Sequence, residues 1–129
     1  MPPTDPKVRV LVVDDSAIVR DLMTEILRQS GLDVQVANGG DDALSMLARD
    51  RPDVVTLDVD MPGMNGFEVL GNIRARHGDL PVVMLTLRAS SEDKARATAL
   101  GADAYVVKTQ FQEGSLLDAI RRVAKVVVP

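Results

Sequence analysis

The chain has no cysteine and no tryptophan, and only one tyrosine and two phenylalanines in 129 residues. The missing cysteines exclude a disulfide framework and thiolate metal centres. They suit a reducing compartment, so a cytoplasmic location is expected. With aromatics at 2%, Val, Leu, Ile, Ala and Met must fill the core, and an apolar content of 46% is enough for that. Long apolar runs are also missing. None approaches the roughly 20 residues of a spanning helix, and Met1-Pro2-Pro3-Thr4-Asp5-Pro6 has no apolar signal core. Positive charge is in deficit, with 15 Lys and Arg against 19 Asp and Glu and a net charge of −4. Binders of nucleic acid neutralise phosphate with Lys and Arg, so direct nucleic-acid binding is not expected. Gly39-Gly40 is no nucleotide loop, because the G-x-x-x-x-G-K-S/T pattern is missing. The length fits one domain.

What is present is a regular alternation. Residues 1–6, with Pro2, Pro3 and Pro6, read as a disordered lead, and residues 7–125 as the domain. A first strand covers Val8 to Val13. Ser16 caps a helix running to about Ser30, and Gly31 suits its C′ position. Ile18, Leu22 and Ile26 share a face of that helix, with Val19, Met23 and Leu27 beside them. A second strand covers about Asp33 to Ala37. After the Asn38-Gly39-Gly40 loop, a helix runs to about Asp50 and buries Ala43, Leu44 and Leu47, and Pro52 breaks it. Val54 to Leu57 is apolar without alternation, as a strand covered on both faces should be. Pro62, Gly63 and Gly66 punctuate the next loop. Phe67, Leu70 and Ile73 form a helical stripe that Gly78 ends, and Pro81 opens a strand from Val82 to Leu85. Ser91, or Ser90 with Asp93 three residues on, caps a fourth helix closed by Gly101. Ala104 to Val107 is the last strand. A final helix carries Leu116, Leu117, Ile120, Val123 and Ala124, and residues 126–129 extend it or fray. Five strand–helix units imply a parallel sheet covered by helices on both faces.

Four of these strands end in residues suited to holding a phosphate. The first runs into Asp14-Asp15, the third into Asp58, the fourth into Thr86 and the fifth into Lys108. In an open parallel sheet those ends share one edge, where such sheets bind ligands. Asp58 is the candidate nucleophile, since a carboxylate can take a phosphoryl group as an acyl phosphate. Phosphoryl transfer then needs positioning and charge neutralisation more than further covalent chemistry. Asp14 and Asp15 beside Asp58 repel it by about 4 kcal/mol per pair at 4 Å and an effective dielectric near 20. A divalent cation resolves that conflict, and Mg²⁺ prefers such carboxylate oxygens together with waters and phosphate. Lys108 supplies a point charge for the phosphoryl group, and Thr86 a hydroxyl donor. Asp60 lies in the loop facing the site, where its backbone carbonyl can ligate the metal.

The ordered set Leu11-Val12-Val13-Asp14-Asp15-Ser16, Leu57-Asp58-Val59-Asp60-Met61-Pro62-Gly63-Met64-Asn65-Gly66, Val83-Met84-Leu85-Thr86 and Gly101-Ala102-Asp103-Ala104-Tyr105-Val106-Val107-Lys108 resembles the receiver domains of two-component response regulators. The resemblance spans about residues 7–125. It implies a doubly wound five-stranded parallel sheet in the order 2-1-3-4-5 with five helices, the CheY-like, flavodoxin-like α/β fold. It implies that Asp58 accepts phosphate from a histidine kinase or phosphotransfer protein, or from a small donor. Mg²⁺ is then held by Asp14, Asp15, Asp58 and the Asp60 carbonyl. It implies a switch in which Thr86 and Tyr105 move inward and change the face made by the fourth helix, fifth strand and fifth helix for a downstream protein partner. Such a protein is a signalling phosphoacceptor rather than an enzyme, a monomer or weak dimer, and is not inserted in a membrane. The first half looks like chemotaxis regulators, and the Lys108-Thr109-Gln110-Phe111 stretch like receivers fused to chemotaxis-type kinases.

Two departures from the family pattern stand out, beside a pair of residues at variable positions. Thr109 follows Lys108 where the family has proline, so a trans bond and an altered loop are expected. Leu87 follows Thr86 where the family has a small residue, which narrows access to Asp58. Arg88 and Asp60 are placed to pair across the mouth of the site. Two other readings compete. One is a receiver-fold interaction module that is never phosphorylated. The other is a haloacid-dehalogenase-like phosphatase, whose Asp-x-Asp motif Asp58-Val59-Asp60 fits, although Asp14-Asp15 lies upstream of it. His77 is expected as a solvated helix end, Met61 and Met64 as loop packing, and Arg121, Arg122 and Lys125 as a solvated, dipole-matched face.

Overall fold

Short β-branched runs, bounded by caps and breakers, form five strands separated by helices. The computed structural model describes residues 7–87, 90–108 and 113–129. The strands are β1 (Arg9–Val13), β2 (Asp33–Ala37), β3 (Val54–Leu57), β4 (Val82–Thr86) and β5 (Ala104–Val107). The helices are α1 (Ala17–Gln29), α2 (Gly40–Arg49), α3 (Gly66–Arg76), α4 (Ser91–Ala99) and α5 (Glu113–Val123). All pairings are parallel, in the order β2-β1-β3-β4-β5. The doubly wound α/β sheet with five helices that the sequence implies is therefore present. The expected lead 1–6, the Arg88 pairing and the Thr109 loop lie outside the described residues.

The sheet divides two cores. Leu11, Val13, Val55, Leu57, Val82 and Met84 face Ala43, Leu47, Phe67, Leu70, Ile73 and Ala97. Val10, Val12, Val54, Val83 and Leu85 face Met23, Leu27, Leu116, Ala119 and Ile120. β3 and β4 are buried along their whole length, which is why they show no alternation. Branched aliphatics do fill this interior. The Phe67 ring is also covered by the Arg96 guanidinium, 4.2 Å from its centroid, joining α4 to α3.

The helix ends follow local chemistry. Ser16 caps α1 by accepting from the Val19 amide, and Ser90, rather than Ser91, caps α4 by accepting from Asp93. Gly31 and Gly101 adopt φ of 88° and 100°, the left-handed C′ conformation. His77 is the half-buried C-cap of α3.

Three expectations need correction. Ile18 and Leu22 are 81% and 51% exposed, and the buried face of α1 is Met23, Ile26 and Leu27. The apolar stripe of α1 is wider than the strip of sheet it covers. α2 begins at Gly40, which is buried; a Cβ there would come within 2.8 Å of Val69 Cγ2. The last residues neither extend α5 nor fray. They fold back, so that Val128 joins the core and Arg121 donates to the Pro129 carbonyl at 3.0 and 2.8 Å. Lys125 ties the same end to Asp79, 3.1 Å away, so Arg121 and Lys125 are not simply solvated.

Candidate functional site

The parallel register brings the ends of β1, β3, β4 and β5 to one edge, beside the point where the strand order reverses between β1 and β3. Asp14 directly follows β1, Asp58 follows β3, Thr86 is the last residue of β4, and Lys108 follows β5. The Asp58 amide donates to the Val13 carbonyl at 3.0 Å, continuing the ladder past the strands and setting Asp58 beside Asp14.

Asp14 is 2% exposed and hydrogen-bonded at every polar atom. Its amide donates to the Ala37 carbonyl at 3.2 Å. Its Oδ1 accepts from the Ser16 amide at 2.9 Å, and its Oδ2 from Lys108 Nζ at 2.8 Å. Its carbonyl accepts from Arg20 Nη1 at 2.7 Å. Asp58 is 5% exposed, and its Oδ1 lies 3.4 Å from Lys108 Nζ and accepts from the Asp60 amide at 3.4 Å. Asp15 is exposed. Oxygens of Asp14, Asp15 and Asp58 all lie within 4.8 Å of one another. Thr86 is fully buried at the end of β4, and the exposed Asp60 sits two residues past Asp58.

Burial raises the Asp58 carboxyl to a pKa of about 6; Lys108 opposes this, and the neighbouring Asp14 charge adds to it. Burial alone would lower the Lys108 ammonium, but its bond to Asp14 and the charge of Asp58 outweigh burial and hold its pKa above the usual lysine value. A buried carboxylate at the edge of ionisation, between another carboxylate and an ammonium, is a site short of positive charge. Three converging carboxylates are the hard oxygen donors that Mg²⁺ prefers, so the residues fit that ion.

Two neighbours whose part in the site the sequence does not reveal hold it in place. Gly66 opens α3, and a Cβ there would lie 2.2 Å from the Asp58 carbonyl oxygen and 2.7 Å from Val59 Cα. Only hydrogen fits against that backbone, a constraint beyond the loop punctuation that its place in the sequence suggests. Asn65 forms a capping box with Glu68 just before it. Arg20 is the second, and its signal was a cation near the start of a helix. Leu87 is 62% exposed beyond Thr86. Met61 is buried and Met64 half-buried, as loop packing requires.

Away from this edge, Tyr105 on β5 is half-buried. It lines a cleft between α4 and α5 with Lys94, Ser115, Asp118, Arg121 and Arg122. No helix among the described residues is long and apolar enough to cross a membrane.

Residues 10–121 match the family model described as the response regulator receiver domain. Response regulator MprA of Mycobacterium leprae is 40% identical over 94% of this chain and 53% of its own length. Response regulator MprA of Mycolicibacterium vanbaalenii is 39% identical over 95% and 52%. The chain thus spans about half the length of these curated relatives. Among solved structures, Vibrio cholerae chemotaxis protein CheY4 superposes with a TM-score of 0.86 at 36% identity, over 92% of this chain and 99% of that one. Response regulator TrrA of Thermotoga maritima, in complex with Mg²⁺ and beryllium fluoride, superposes with a TM-score of 0.81 at 35% identity, over 89% and 97%.

Proposed function

The chain belongs to the response regulator receiver family of two-component signalling, and we propose that Asp58 is its phosphoacceptor. The supporting observation is the convergence of Asp14, Asp15 and Asp58 within 4.8 Å, with Lys108 across from them. An Asp58 oxygen attacks the phosphorus of a phosphohistidine on a partner kinase or phosphotransfer protein. The P–O bond forms as the P–N bond breaks, and the departing imidazole takes its proton from solvent. Lys108 turns from Asp14 toward the phosphoryl oxygens, and the Thr86 hydroxyl donates to another of them. Asp14, Asp15, Asp58 and the Asp60 carbonyl would hold Mg²⁺, which supplies neutralisation of the carboxylates and of the transferring group. The chain is a phosphoacceptor that resets by hydrolysis rather than a turnover enzyme. Its membership of the receiver family supports this reading over the phosphatase one.

Thr86 and Tyr105 carry the switch to the cleft between α4 and α5, where a downstream protein docks. Phosphate shifts that equilibrium only by binding the active arrangement better. A chemotaxis-type output is the finer reading, supported by the likeness to CheY4. The curated relatives, described as response regulators, support only the coarser one. The test is borohydride trapping after incubation with acetyl phosphate and Mg²⁺. Reduction of an aspartyl phosphate leaves homoserine, and peptide mass mapping should find it at position 58 alone.

A further inference from the structure

We propose that Arg20 is a positioning residue for the cation site. It acts through the peptide that joins Asp14 to Asp15, and the proposal rests on the receiver reading. Arg20 is the fourth residue of α1, and its amide donates to the Ser16 carbonyl at 3.0 Å. The first turn of α1 has no acidic residue, so the first charge on this helix is a cation near the positive end of its dipole. That placement is unfavourable for the helix alone. The side chain is half-buried and turns back, and Nη1 donates to the Asp14 carbonyl at 2.7 Å.

This contact matters because the two acids are held differently. Asp14 is fixed by Ser16, Lys108 and Ala37. Among the described residues, the exposed Asp15 carboxylate has no hydrogen-bond or ion-pair partner. Its direction depends on its backbone. The Asp14 carbonyl and the Asp15 amide belong to one planar peptide unit. Gripping that carbonyl sets the plane, and with it the line along which the Asp15 carboxylate leaves the main chain toward Asp14 and Asp58. Partners one step behind a metal's ligands commonly change its affinity by 10–100-fold.

The sign of the effect separates this role from simple electrostatics. Removing a positive charge beside a cation site should tighten Mg²⁺ binding, whereas removing a positioning bond should weaken it. The experiment is calorimetric titration of Mg²⁺ into the wild type, Arg20→Met, Asp15→Asn and the double variant, with thermal unfolding of each in EDTA. Methionine keeps an unbranched apolar stem and removes the donor. The expected result is an affinity about tenfold lower in Arg20→Met, an EDTA melting temperature close to wild type, and no further loss when Arg20→Met is added to Asp15→Asn. Unchanged or tighter binding in Arg20→Met overturns the proposal. So does an equal loss with and without Asp15, or a loss matched by general destabilisation in EDTA. A wild type that binds no Mg²⁺ overturns the cation site itself and the proposal with it, so the two failures are distinguishable.

Discussion

The ammonium of Lys108 stands 2.8 Å from Oδ2 of Asp14, and the same nitrogen reaches Asp58 at 3.4 Å. In this arrangement the lysine supplies the positive charge that the acidic edge lacks. A metal ion bound there would compete with it for Asp14. Lys108→Met should therefore raise Mg²⁺ affinity by about tenfold or more, since one unit charge a few ångströms away is worth several kcal/mol at an intermediate dielectric. The same variant should accept phosphate poorly, because the phosphoryl group loses its counter-charge. Calorimetry and phosphorylation by acetyl phosphate, run side by side, check both signs.

The raised pKa of Asp58 makes stability depend on pH. Its carboxyl titrates near 6 in the folded chain against 3.8 ordinarily, so the folded state holds the proton over that window and the unfolded state does not. The stabilisation is fully present below pH 3.8 and is lost as pH rises through about 6. Without metal, Asp58→Asn should be more stable than wild type at pH 8, and the difference should shrink toward pH 5. Urea unfolding in EDTA at several pH values checks this, and a pH-independent difference would contradict it.

Thr56 offers a test of the core. It lies on β3 at 1% exposure, and its hydroxyl has no hydrogen-bond partner among the described residues. A buried, unsatisfied hydroxyl costs on the order of 1–3 kcal/mol, and valine has nearly the same shape. Thr56→Val should raise the unfolding free energy by about 1 kcal/mol, read from urea denaturation. A destabilised variant would mean that the hydroxyl is satisfied in solution.

Gly66→Ala should do the reverse. Its Cβ would meet the backbone of Asp58 and Val59, which is no flexible side-chain tip. The loop carrying Asp58 must shift, with a loss of about 1–3 kcal/mol and a slower phosphorylation rate. Thermal unfolding and a phosphorylation time course check the two parts, and a variant matching wild type in both would contradict the contact.

Much of this was legible in the residues. β3 and β4 showed their burial through uninterrupted apolar runs, and Asp14, Asp58, Thr86 and Lys108 announced the site by standing at four strand ends. Other features were not legible, for identifiable reasons. Ile18 and Leu22 repeat at helical spacing, but spacing does not say how far the sheet extends beneath a helix. Gly66 reads as a turn residue, because its close approach to the backbone of Asp58 and Val59 is a three-dimensional fact that sequence spacing does not carry. The fold-back of residues 124–129 depends on Arg121 and Lys125 finding the Pro129 and Asp79 carbonyls, contacts that charge patterning does not specify.

Asp58 as a Mg²⁺-dependent phosphoacceptor is tested most directly by the intact mass of the protein after incubation with acetyl phosphate, for wild type with Mg²⁺, wild type in EDTA, and Asp58→Asn with Mg²⁺. The first sample should gain one phosphoryl group and the other two none. A gain that survives EDTA or the loss of Asp58 would contradict it, as would a wild type that stays unmodified with acetyl phosphate and with a phosphorylated histidine donor alike.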